Sequence, residues 1–581
     1  IDKLYIENFK SFNQLQEINL KPITLIYGPN SSGKSSLIQS MLFMAHMLNK
    51  GNLDNACVNA TSKAPFIGGP KHFMHKNDQD KNALFGLDLM ADFWSGTQQA
   101  KSYRVMEFIN EKRISNSEKL LQSGDILTVH FAVGNKYSCN KMFTLKINGK
   151  PFAQFQCSVG CEVEVEMPKY KYSKYPDGNV TGLHDTWQSA EHYYGTINEA
   201  RHPSVKKWVA EKYLETTDCE LTDSVWDDAV KDIEENFETD IWLYGFRIIE
   251  TERQHEADPN TSTALDVVLF LLEEYIFLLL QAINLKLSRE LGGTSYLGPL
   301  RSYKGRHVAN FTSIMQSARS KGDFSDISLI TNPDLVEEVN RWLGDRLGMK
   351  NCYELVIRKY YDSTNSIKDF ERKYTEAKSP PWVWDFDESI PEAIRYSKES
   401  FHHHWLPVRS KRIAELYQAY GILLEIALRD KHTGVYLTAK DVGVGISQIL
   451  PILISGLENE NNRIFVEQPE LHLHPASQSE LADFFIQTAF GDKLLGSNNN
   501  YVIETHSEHL LLRIMRRIRE TELAGADNDA YSITSDQVCV LYVEPTENGA
   551  LVREMRLNAK GDLVSDWPGG FFEEGLREML I

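Results

Sequence analysis

The chain has 581 residues, of which 42% are hydrophobic, and its 62 basic and 81 acidic residues leave a formal net charge of −19 at pH 7. This balance argues against broad electrostatic adhesion to nucleic acid or to an anionic membrane, although it is compatible with a local basic groove. The 7 cysteines are scattered, with Cys157 and Cys161 the closest pair, which argues against a disulfide framework and against a complete zinc-binding pattern.

The sequence carries neither a recognisable targeting leader nor a convincing membrane span. No stretch near Ile1 combines a charged segment with an apolar one. The most apolar run, residues 264–285, contains Asp266, Glu273 and Glu274, which would be costly at bilayer depth and suit a buried helix better. We therefore expect a reduced, cytoplasmic protein without a membrane partner.

The first predicted region, residues 1–166, begins with short alternating strands that lead into a glycine-rich loop and a helix over residues 37–48. From residue 125 to residue 166, the runs ILTVHFAV, FTLKI and CEVEVEM alternate apolar and polar residues, and Asn148-Gly149 interrupts them. That dipeptide is a preferred turn of a two-residue hairpin. We therefore expect an antiparallel β subdomain in this region.

Three predicted regions make up the middle of the chain. Residues 167–260 are polar and aromatic, and we interpret them as an inserted helical lobe. Residues 261–362 are predicted to hold a long helix over 262–291, the strand SYLGPLR and further core elements. Residues 363–410 are rich in proline, tryptophan and charge, and are predicted to form a second insertion.

The last region, residues 411–581, contains most of the remaining chemistry. It is predicted to begin with a helix over residues 413–429 and the strand VYLTA. The segments DVGVGISQILPIL, RIFVEQPELHLHP and YVIETHSEHLL follow, and the strands VCVLYVE and ALVREMRL lie near the end. Strands and helices that alternate in this way favour an α/β fold.

A phosphate-binding loop is predicted at residues 28–35, where GPNSSGKS fits the pattern GxxxxGK[ST] between the apolar strand ITLIY and a helix. In such a loop the backbone N–H groups surround the phosphates, Lys34 reaches the terminal phosphates and Ser35 offers its hydroxyl to Mg²⁺. The residues predicted to bind the nucleotide here are Asn30, Ser31, Ser32, Gly33, Lys34, Ser35 and Ser36. A glycine-rich turn with a chance lysine is the weaker interpretation.

Two later strands end in residues that suit the same site. RIFV leads into Glu467, Gln468 and Glu470, and an acidic residue at a strand end can hold Mg²⁺ or its waters. We expect this strand to lie beside the phosphate loop. YVIE leads into His506, which would then contact the terminal phosphate at the carboxyl edge of the same sheet. A surface strand end and a helix-cap histidine are the structural alternatives.

A second anion site is predicted where Gly443, Gly445 and Ser447 precede the apolar helix ILPILISGL. Gly-rich backbone and a hydroxyl at a helix N-terminus favour an anion. One phosphate group seldom needs two such sites from one lobe, so a second copy of the chain would supply this one across the nucleotide. A tight turn is the alternative.

These four segments resemble the ATP-binding-cassette (ABC) type heads of the structural-maintenance (SMC) and Rad50 class. They resemble more closely the overcoming-lysogenization-defect-like AAA ATPases. NFKSF before GPNSSGKSSL is typical of that group, and YLGPLR, DVGVGISQILP, VEQPELHLHP, ETHSEHLLLR and DWPGGFF are similar to its DUF3696 subfamily. The resemblance implies an α/β P-loop ATPase head, split by insertions, with an antiparallel β subdomain and helical inserted lobes.

The resemblance also implies roles for single residues and motifs. Residues 28–35 correspond to the Walker A loop, Glu467 to the Walker B carboxylate, residues 443–448 to the signature motif and His506 to the switch histidine, while Gln79 is a weak candidate for the glutamine loop. The implied cofactors are ATP and Mg²⁺. The signature match is loose, because here the serine follows the glycines instead of preceding them.

The residue after the Walker B carboxylate departs from the family pattern. Gln468 stands where these ATPases carry the glutamate that deprotonates the attacking water, and glutamine cannot act as that base. Slow hydrolysis, use of Glu470 as the base, or ATP acting mainly as an assembly ligand would each follow. We predict a long-lived ATP state.

The group's members commonly act in bacterial defence against phage, and the motif order resembles the ATPase of the Septu systems. The resemblance implies a separate effector nuclease of the HNH type as partner, with no nuclease in the chain itself. A DNA-repair ATPase of the RecF or Rad50 type that binds DNA directly is the alternative. A transporter motor is disfavoured, because such motors seldom carry about 430 residues between the phosphate loop and the acidic strand.

Two further groups of residues invite functional interpretations that we consider weaker. His402, His403 and His404 are adjacent, so they cannot all face one metal ion in regular structure, and a surface or partner-contact loop is favoured. A set of arginines on the helix after His506 would face nucleic acid or a partner's acids, although solvated helix charge is favoured. These arginines are Arg513, Arg516, Arg517 and Arg519.

Overall fold

A computed structural model shows three β-sheets with helices packed around them in the described part of the chain. The described residues are 1–50, 73–77, 81–90, 125–133, 142–157, 191–197, 202–217, 219–236, 239–244, 247–251, 263–299, 301, 309–315, 325–347, 352–361, 367–378, 398–437, 442, 444–459, 461–491, 498–524 and 531–568. The predicted α/β fold with an antiparallel subdomain is confirmed by this architecture.

The antiparallel subdomain is a nine-stranded sheet of order β10-β9-β8-β7-β6-β5-β4-β1-β2. Its strands are β1 (Lys3–Glu7), β2 (Gln16–Asn19), β4 (Ala83–Met90), β5 (Ile126–Val133), β6 (Met142–Ile147), β7 (Lys150–Cys157), β8 (Glu191–Ile197), β9 (Thr239–Tyr244) and β10 (Arg247–Thr251). The predicted hairpin is confirmed between β6 and β7, where Asn148 (φ 51°) and Gly149 (φ 79°) are both left-handed.

The polar segment at residues 167–260 contributes strands as well as helices. Strands β8, β9 and β10 continue the antiparallel sheet beyond β7. They therefore belong to the same sheet as the strands of the preceding region. Helices α2 (Pro203–Thr217) and α3 (Asp223–Asn236) pack against α4 (Ala264–Gly292), the predicted long helix. Thr263 caps α4 in a reciprocal pair with Asp266.

The central sheet has the order β11-β16-β17-β3-β18-β19 and is parallel except for β19. Its strands are β3 (Ile23–Tyr27), β11 (Thr294–Leu297), β16 (Arg463–Glu467), β17 (Asn500–Glu504), β18 (Val538–Thr546) and β19 (Gly549–Glu554). Helices α1 (Lys34–Lys50), α9 (Val444–Glu458), α10 (Pro475–Phe490) and α11 (Glu508–Ala524) cover it. Both faces of β3 and β16 are buried, as their continuous apolar sequences require.

The acidic strand β16 does not pair directly with β3. Strand β17 lies between them and pairs in parallel with both. All three strands are apolar runs buried on both faces, so their composition does not determine which of them are neighbours. Because the strands are parallel, the carboxyl ends of β3, β16 and β17 still meet at one edge of the sheet.

A smaller sheet of order β12-β14-β13, with β15 paired to β14, corrects another prediction. Its strands are β12 (Ala309–Asn310), β13 (Tyr353–Tyr360), β14 (Leu423–Asp430) and β15 (Tyr436–Leu437). The helix predicted over residues 413–429 ends early, because α8 (Lys398–Ala419) stops before Gly421 at φ +59° and β14 follows. Helix α8 also crosses residue 410, the predicted end of the second insertion.

The remaining helices pack around the central and smaller sheets. They are α5 (Ser325–Thr331), α6 (Pro333–Arg341) and α7 (Ile367–Lys378). Helix α6 continues into a π-helical turn, Trp342–Arg346. Within the described ranges, no helix is both long enough and apolar enough to cross a bilayer.

Candidate functional site

The loop between β3 and α1 has the backbone geometry of a phosphate-binding loop. Gly28 (φ +144°) lies so close to the Val543 carbonyl that an added Cβ would be 2.3 Å from the oxygen, and Gly33 (φ +108°) lies against Ser11. Helix α1 begins at Lys34, immediately after this glycine. The sequence pattern therefore reflects two positions that only glycine fits, at the N-terminus of a helix that favours an anion.

The Lys34 ammonium lies over the loop itself. Its Nζ donates to the carbonyls of Gly28 at 3.0 Å and Pro29 at 2.8 Å, and it lies 3.9 Å from the Glu504 carboxylate. The side chain is only 4% exposed, and this burial lowers the pKa of the ammonium, while Glu504 and Glu470 act in the opposite direction. Neutral carbonyls thus hold Lys34 at the loop. A phosphate would replace them, because it is a stronger, charged partner.

The loop hydroxyls differ in their partners. Ser35 Oγ donates to Glu504 Oε2 at 2.7 Å, whereas the buried Ser32 Oγ has no hydrogen-bond partner among the described residues. Asn30 and Ser31 are exposed, and Ser36 Oγ lies 3.2 Å from the Ser11 hydroxyl. A buried hydroxyl without a partner in a loop of this kind fits a phosphate oxygen as its missing acceptor.

Glu467 and Glu504 end neighbouring strands in register. Their Cα atoms are paired between β16 and β17, so both carboxylates lie at the sheet edge that carries the loop. Burial, followed by the charge of Glu504, raises the pKa of Glu467 to about 7, although a hydrogen bond from Tyr296 and the charges of Arg301 and Lys10 oppose the rise. Glu467 Oε1 is buried without a partner among the described residues, so it is available to a cation or to its waters.

Glu470 holds the segment that carries the histidine. Its Oε2 accepts from Thr505 Oγ1 at 2.7 Å, and its Oε1 accepts from the His506 main-chain N–H at 2.7 Å. Burial raises the pKa of Glu470, and these two hydrogen bonds oppose the rise. His506 is half-buried, and desolvation and the charge of Lys34 both lower its pKa. A neutral imidazole near the loop can accept or donate a hydrogen bond.

Gln468 adopts a backbone conformation that is uncommon for a residue with a side chain. Its φ is +46°, its N–H donates to the Glu504 carbonyl at 2.7 Å, and its own carbonyl accepts from Arg301 at 2.9 Å. These bonds fix the turn that leaves β16. A residue with a side chain costs about 1–3 kcal/mol to hold in this left-handed backbone conformation. The structure therefore holds the position after Glu467 firmly.

Arg301 joins three segments of the site through main-chain acceptors. Its side chain donates to four carbonyls, those of Gly298 at 2.7 Å, Glu467 at 2.8 Å, Gln468 at 2.9 Å and Gln448 at 3.1 Å. Burial lowers the pKa of the guanidinium to about 10. These contacts make Arg301 the connection between the turn that follows β16 and helix α9.

The signature-like turn, which contains Gly445 and Ser447, lies against the segment that follows β16 in the same chain. At Gly445, an added Cβ would lie 2.7 Å from the His472 carbonyl, so the close approach requires glycine. Ser447 is 8% exposed, and its Oγ has no hydrogen-bond partner within the described ranges. Gly443 and Gln79 lie outside the described residues. The structure thus places Gly445 and Ser447 at the N-terminal end of α9, next to the acidic strand end.

Family models match the two segments that contain these elements. Residues 3–141 match the model described as an AAA domain, and residues 336–511 match the model described as an AAA ATPase domain. The chain therefore contains AAA-type ATPase domains. These matches support ATPase activity, which typically depends on Mg²⁺. No curated protein matches the sequence of this ATPase.

The solved structures to which this chain is similar include three SMC heads with low sequence identity. One is an SMC head bound to the C-terminal winged-helix domain of ScpA, with 11% identity, coverage of 96% of this chain and 98% of that chain, and a TM-score of 0.34. Another, derived from Pyrococcus furiosus, has 10% identity, coverage of 100% and 98%, and a TM-score of 0.33. The SMC head from Thermotoga maritima has 9% identity, coverage of 96% and 99%, and a TM-score of 0.26.

The arginines on α11 form ion pairs within the chain, and the favoured interpretation as solvated helix charge holds for Arg516 and Arg519 but not for Arg513 and Arg517. Arg513 and Arg517 bind the buried carboxylate of Asp483 on α10. Arg516 pairs with Glu520, and Arg519 pairs with Asp562. Arg513, Arg517 and Arg519 therefore join α11 to neighbouring segments, whereas the Arg516 pair lies within α11.

The remaining sequence candidates lie away from the nucleotide loop or outside the described residues. His402, His403 and His404 lie within α8, so the surface loop that we predicted for them is wrong. Successive residues of a helix point in different directions, which agrees with our argument against a single metal site. Cys157 ends β7, and Cys161 lies outside the described residues. In the described part of the ATPase, no group of three or more His, Cys, Asp or Glu residues could hold a metal.

Proposed function

We propose that the chain binds Mg²⁺–ATP between two copies of itself and hydrolyses it slowly. The observation that carries this proposal is the meeting of Lys34, Ser35 and Glu467 at one sheet edge, although about 430 residues separate the loop from the acidic strand. Neighbouring parallel strands explain the meeting, because β3, β17 and β16 all end there. A P-loop lysine, a P-loop serine and a strand-end carboxylate are the usual ligands of a metal–triphosphate.

Each side chain has a distinct task in this proposal. Lys34 would exchange its two carbonyl acceptors for phosphate oxygens, and Ser32 would donate to the phosphates from its buried position. Ser35 and Glu467 would hold Mg²⁺, directly or through water. The bound cation would neutralise the charge of the phosphates. His506 would form a hydrogen bond to the terminal phosphate from the neighbouring strand end.

Slow hydrolysis follows from the residues around Gln468. A glutamine amide cannot accept a proton from the attacking water. Both oxygens of Glu470, the nearest alternative base in sequence, already accept hydrogen bonds from Thr505 and His506. The absence of a base typically lowers the rate by about 100- to 10,000-fold. Bound ATP would then act mainly as a ligand that stabilises the assembled dimer.

We further propose that the ATP-bound dimer gates a separate effector nuclease of the HNH type in anti-phage defence. This part rests on the resemblance of YLGPLR, DVGVGISQILP, VEQPELHLHP and ETHSEHLLLR to the DUF3696 subfamily and to the Septu ATPases. A gating dimer suits a slow ATPase, because a long-lived nucleotide state maintains the assembly through which a partner is held.

Native co-purification with mass measurement and nucleotide analysis tests both levels of the proposal. We expect a complex that contains at least two copies of the chain, bound ATP and a nuclease encoded beside it, with the ATP lost in Lys34→Ala. A preparation without nucleotide at millimolar ATP would contradict the ATP site. ATP-dependent DNA binding by the chain alone, without a nuclease, would instead support a repair ATPase.

A further inference from the structure

Glu504, which our sequence interpretation did not single out, forms the closest contact with the P-loop serine. Its Oε2 accepts the proton of the Ser35 hydroxyl at 2.7 Å, and its Oε1 lies 3.9 Å from Lys34 Nζ. The side chain is about 5% exposed, so the interaction is shielded from water. A single carboxylate therefore binds the two loop residues that would act on the nucleotide and its cation.

The backbone fixes Glu504 at the centre of the site. Strand β17 runs between the loop strand and the acidic strand, and its last residue pairs with Ile26 on one side and with Glu467 on the other. The Glu504 carbonyl also accepts the N–H of Gln468 at 2.7 Å. The residue is thus tied to both the Walker A and the Walker B segments before any nucleotide binds.

The direction of the Ser35 hydrogen bond determines what the hydroxyl can still do. A hydroxyl has one proton and two acceptor lone pairs. Because Ser35 gives its proton to Glu504, its lone pairs remain for a cation, and the bond restricts how the hydroxyl can rotate. Mg²⁺ requires oxygen ligands in a near-ideal arrangement, so a ligand with a fixed orientation binds it better than one that rotates freely.

We propose that Glu504 is the positioning residue for the nucleotide's divalent cation, acting through the Ser35 hydroxyl. It directs the serine lone pairs towards the cation and contributes a negative charge that favours the cation over a bare triphosphate. This proposal rests on the proposed ATP function. It assigns the role of hydroxyl acceptor to Glu504, whereas Glu467 has a free oxygen, Oε1, for the cation's waters.

The charge gives the proposal a signature that a purely structural role would not produce. Glu504→Gln keeps the size of the side chain and an oxygen that accepts from Ser35, but it removes the charge. With Mg²⁺ present, the affinity for a fluorescent ATP analogue should fall by about tenfold, since one charge near a buried cation is lost. With EDTA present, the affinity should stay the same or rise, because repulsion of the triphosphate is removed.

Two variants and a second measurement make the experiment decisive. Glu508→Gln removes the same charge from an exposed residue at the start of α11 and should leave both affinities unchanged. Mn²⁺ electron paramagnetic resonance should show that Glu504→Gln needs about tenfold more Mn²⁺ for half-saturation of the nucleotide-bound protein. Thermal melting checks that each variant is folded.

The outcomes separate this inference from the ATP proposal. Equal losses of affinity with Mg²⁺ and with EDTA, no loss at all, or a loss confined to Glu467→Gln would overturn the role of Glu504. If the wild-type chain binds no ATP with Mg²⁺, or binds it no more tightly than Lys34→Ala does, the ATP proposal fails instead. A Glu504→Gln protein that is unfolded would be replaced by Glu504→Asp, for which we expect weaker Mg²⁺ dependence but unchanged affinity with EDTA.

Discussion

Arg301 and Gln448 form hydrogen bonds with each other in both directions. The Arg301 main-chain N–H donates to Gln448 Oε1 at 3.0 Å, and Gln448 Nε2 donates back to the Arg301 carbonyl at 2.5 Å. The guanidinium also binds the carbonyls of Glu467 and Gln468. Arg301 therefore connects the start of α9 to the end of β16, and with it the turn at Gly445 and Ser447 to the segment that carries Glu467.

The Arg301→Lys variant tests this coupling. A lysine has three donors on one nitrogen and cannot reach all four carbonyls, so buried acceptors lose their partners. We expect the free energy of unfolding to fall by about 2–3 kcal/mol, as measured by urea denaturation. Arg519→Lys, at an exposed ion pair with Asp562, should change it by less than about 0.5 kcal/mol. Equal effects of the two substitutions would refute the coupling.

The Gln468→Glu variant tests whether Gln468 makes hydrolysis slow, as we propose. It restores the carboxylate that can accept a proton from water, without changing side-chain length, at a position whose backbone is already fixed by Glu504 and Arg301. We expect the steady-state rate of phosphate release to rise by about 100-fold or more. Glu470→Gln should leave the wild-type rate of phosphate release unchanged, because Glu470 is not expected to be the base. A fast wild-type enzyme that Gln468→Glu leaves unchanged would show that another group is the base.

The sequence predicted best where a local pattern has one physical solution. GPNSSGKS between an apolar strand and a helix specifies the loop, because Gly28 and Gly33 occupy positions where a side chain would collide. Asn148-Gly149 specifies the hairpin for a similar reason, since both residues must be left-handed. The long apolar helix α4 was also predicted within two residues at each end.

The sequence was least informative where the fold depends on pairing between strands that are far apart in the chain. Strand β3 pairs with β17 and β18, and no local feature of these strands encodes that choice. A signal for Glu504 is nevertheless present, because YVIE ends in an acid as RIFVE does. The strand at Leu423–Asp430 resembled a helix because LLEIALRD suits both periods, and Gly421 was the signal for the break.

A pH-dependent change in stability is expected from His130 in the antiparallel sheet. Its ring packs edge-on against Tyr5, with 4.9 Å between centroids, and burial together with Lys146 lowers its pKa to about 4 from 6.5. The folded state therefore binds fewer protons than the unfolded state between these values, so stability is lost as the pH falls from about 6.5 towards 4. The contribution is on the order of 2 kcal/mol.

The His130→Phe variant measures that contribution. Phenylalanine keeps an aromatic ring beside Tyr5 but has no proton to gain, so the loss of stability between pH 7 and pH 5 should be smaller than in the wild type. Urea denaturation at both pH values provides the comparison, and His432→Phe, at an exposed turn, is the control. If both variants lose as much stability as the wild type, His130 does not titrate in this way.

Composite nucleotide sites can be tested directly by mixing two defective variants and measuring their mass with ATP. Lys34→Ala removes the phosphate lysine, and Ser447→Arg blocks the turn that would close over the partner's nucleotide. Each variant alone should remain monomeric in mass photometry with Mg²⁺–ATP, whereas their mixture should form a dimer with one bound ATP, because one intact site survives. Dimers of Lys34→Ala alone, or a mixture that stays monomeric although wild-type protein dimerises, would contradict a nucleotide shared by Lys34 of one copy and Ser447 of the other.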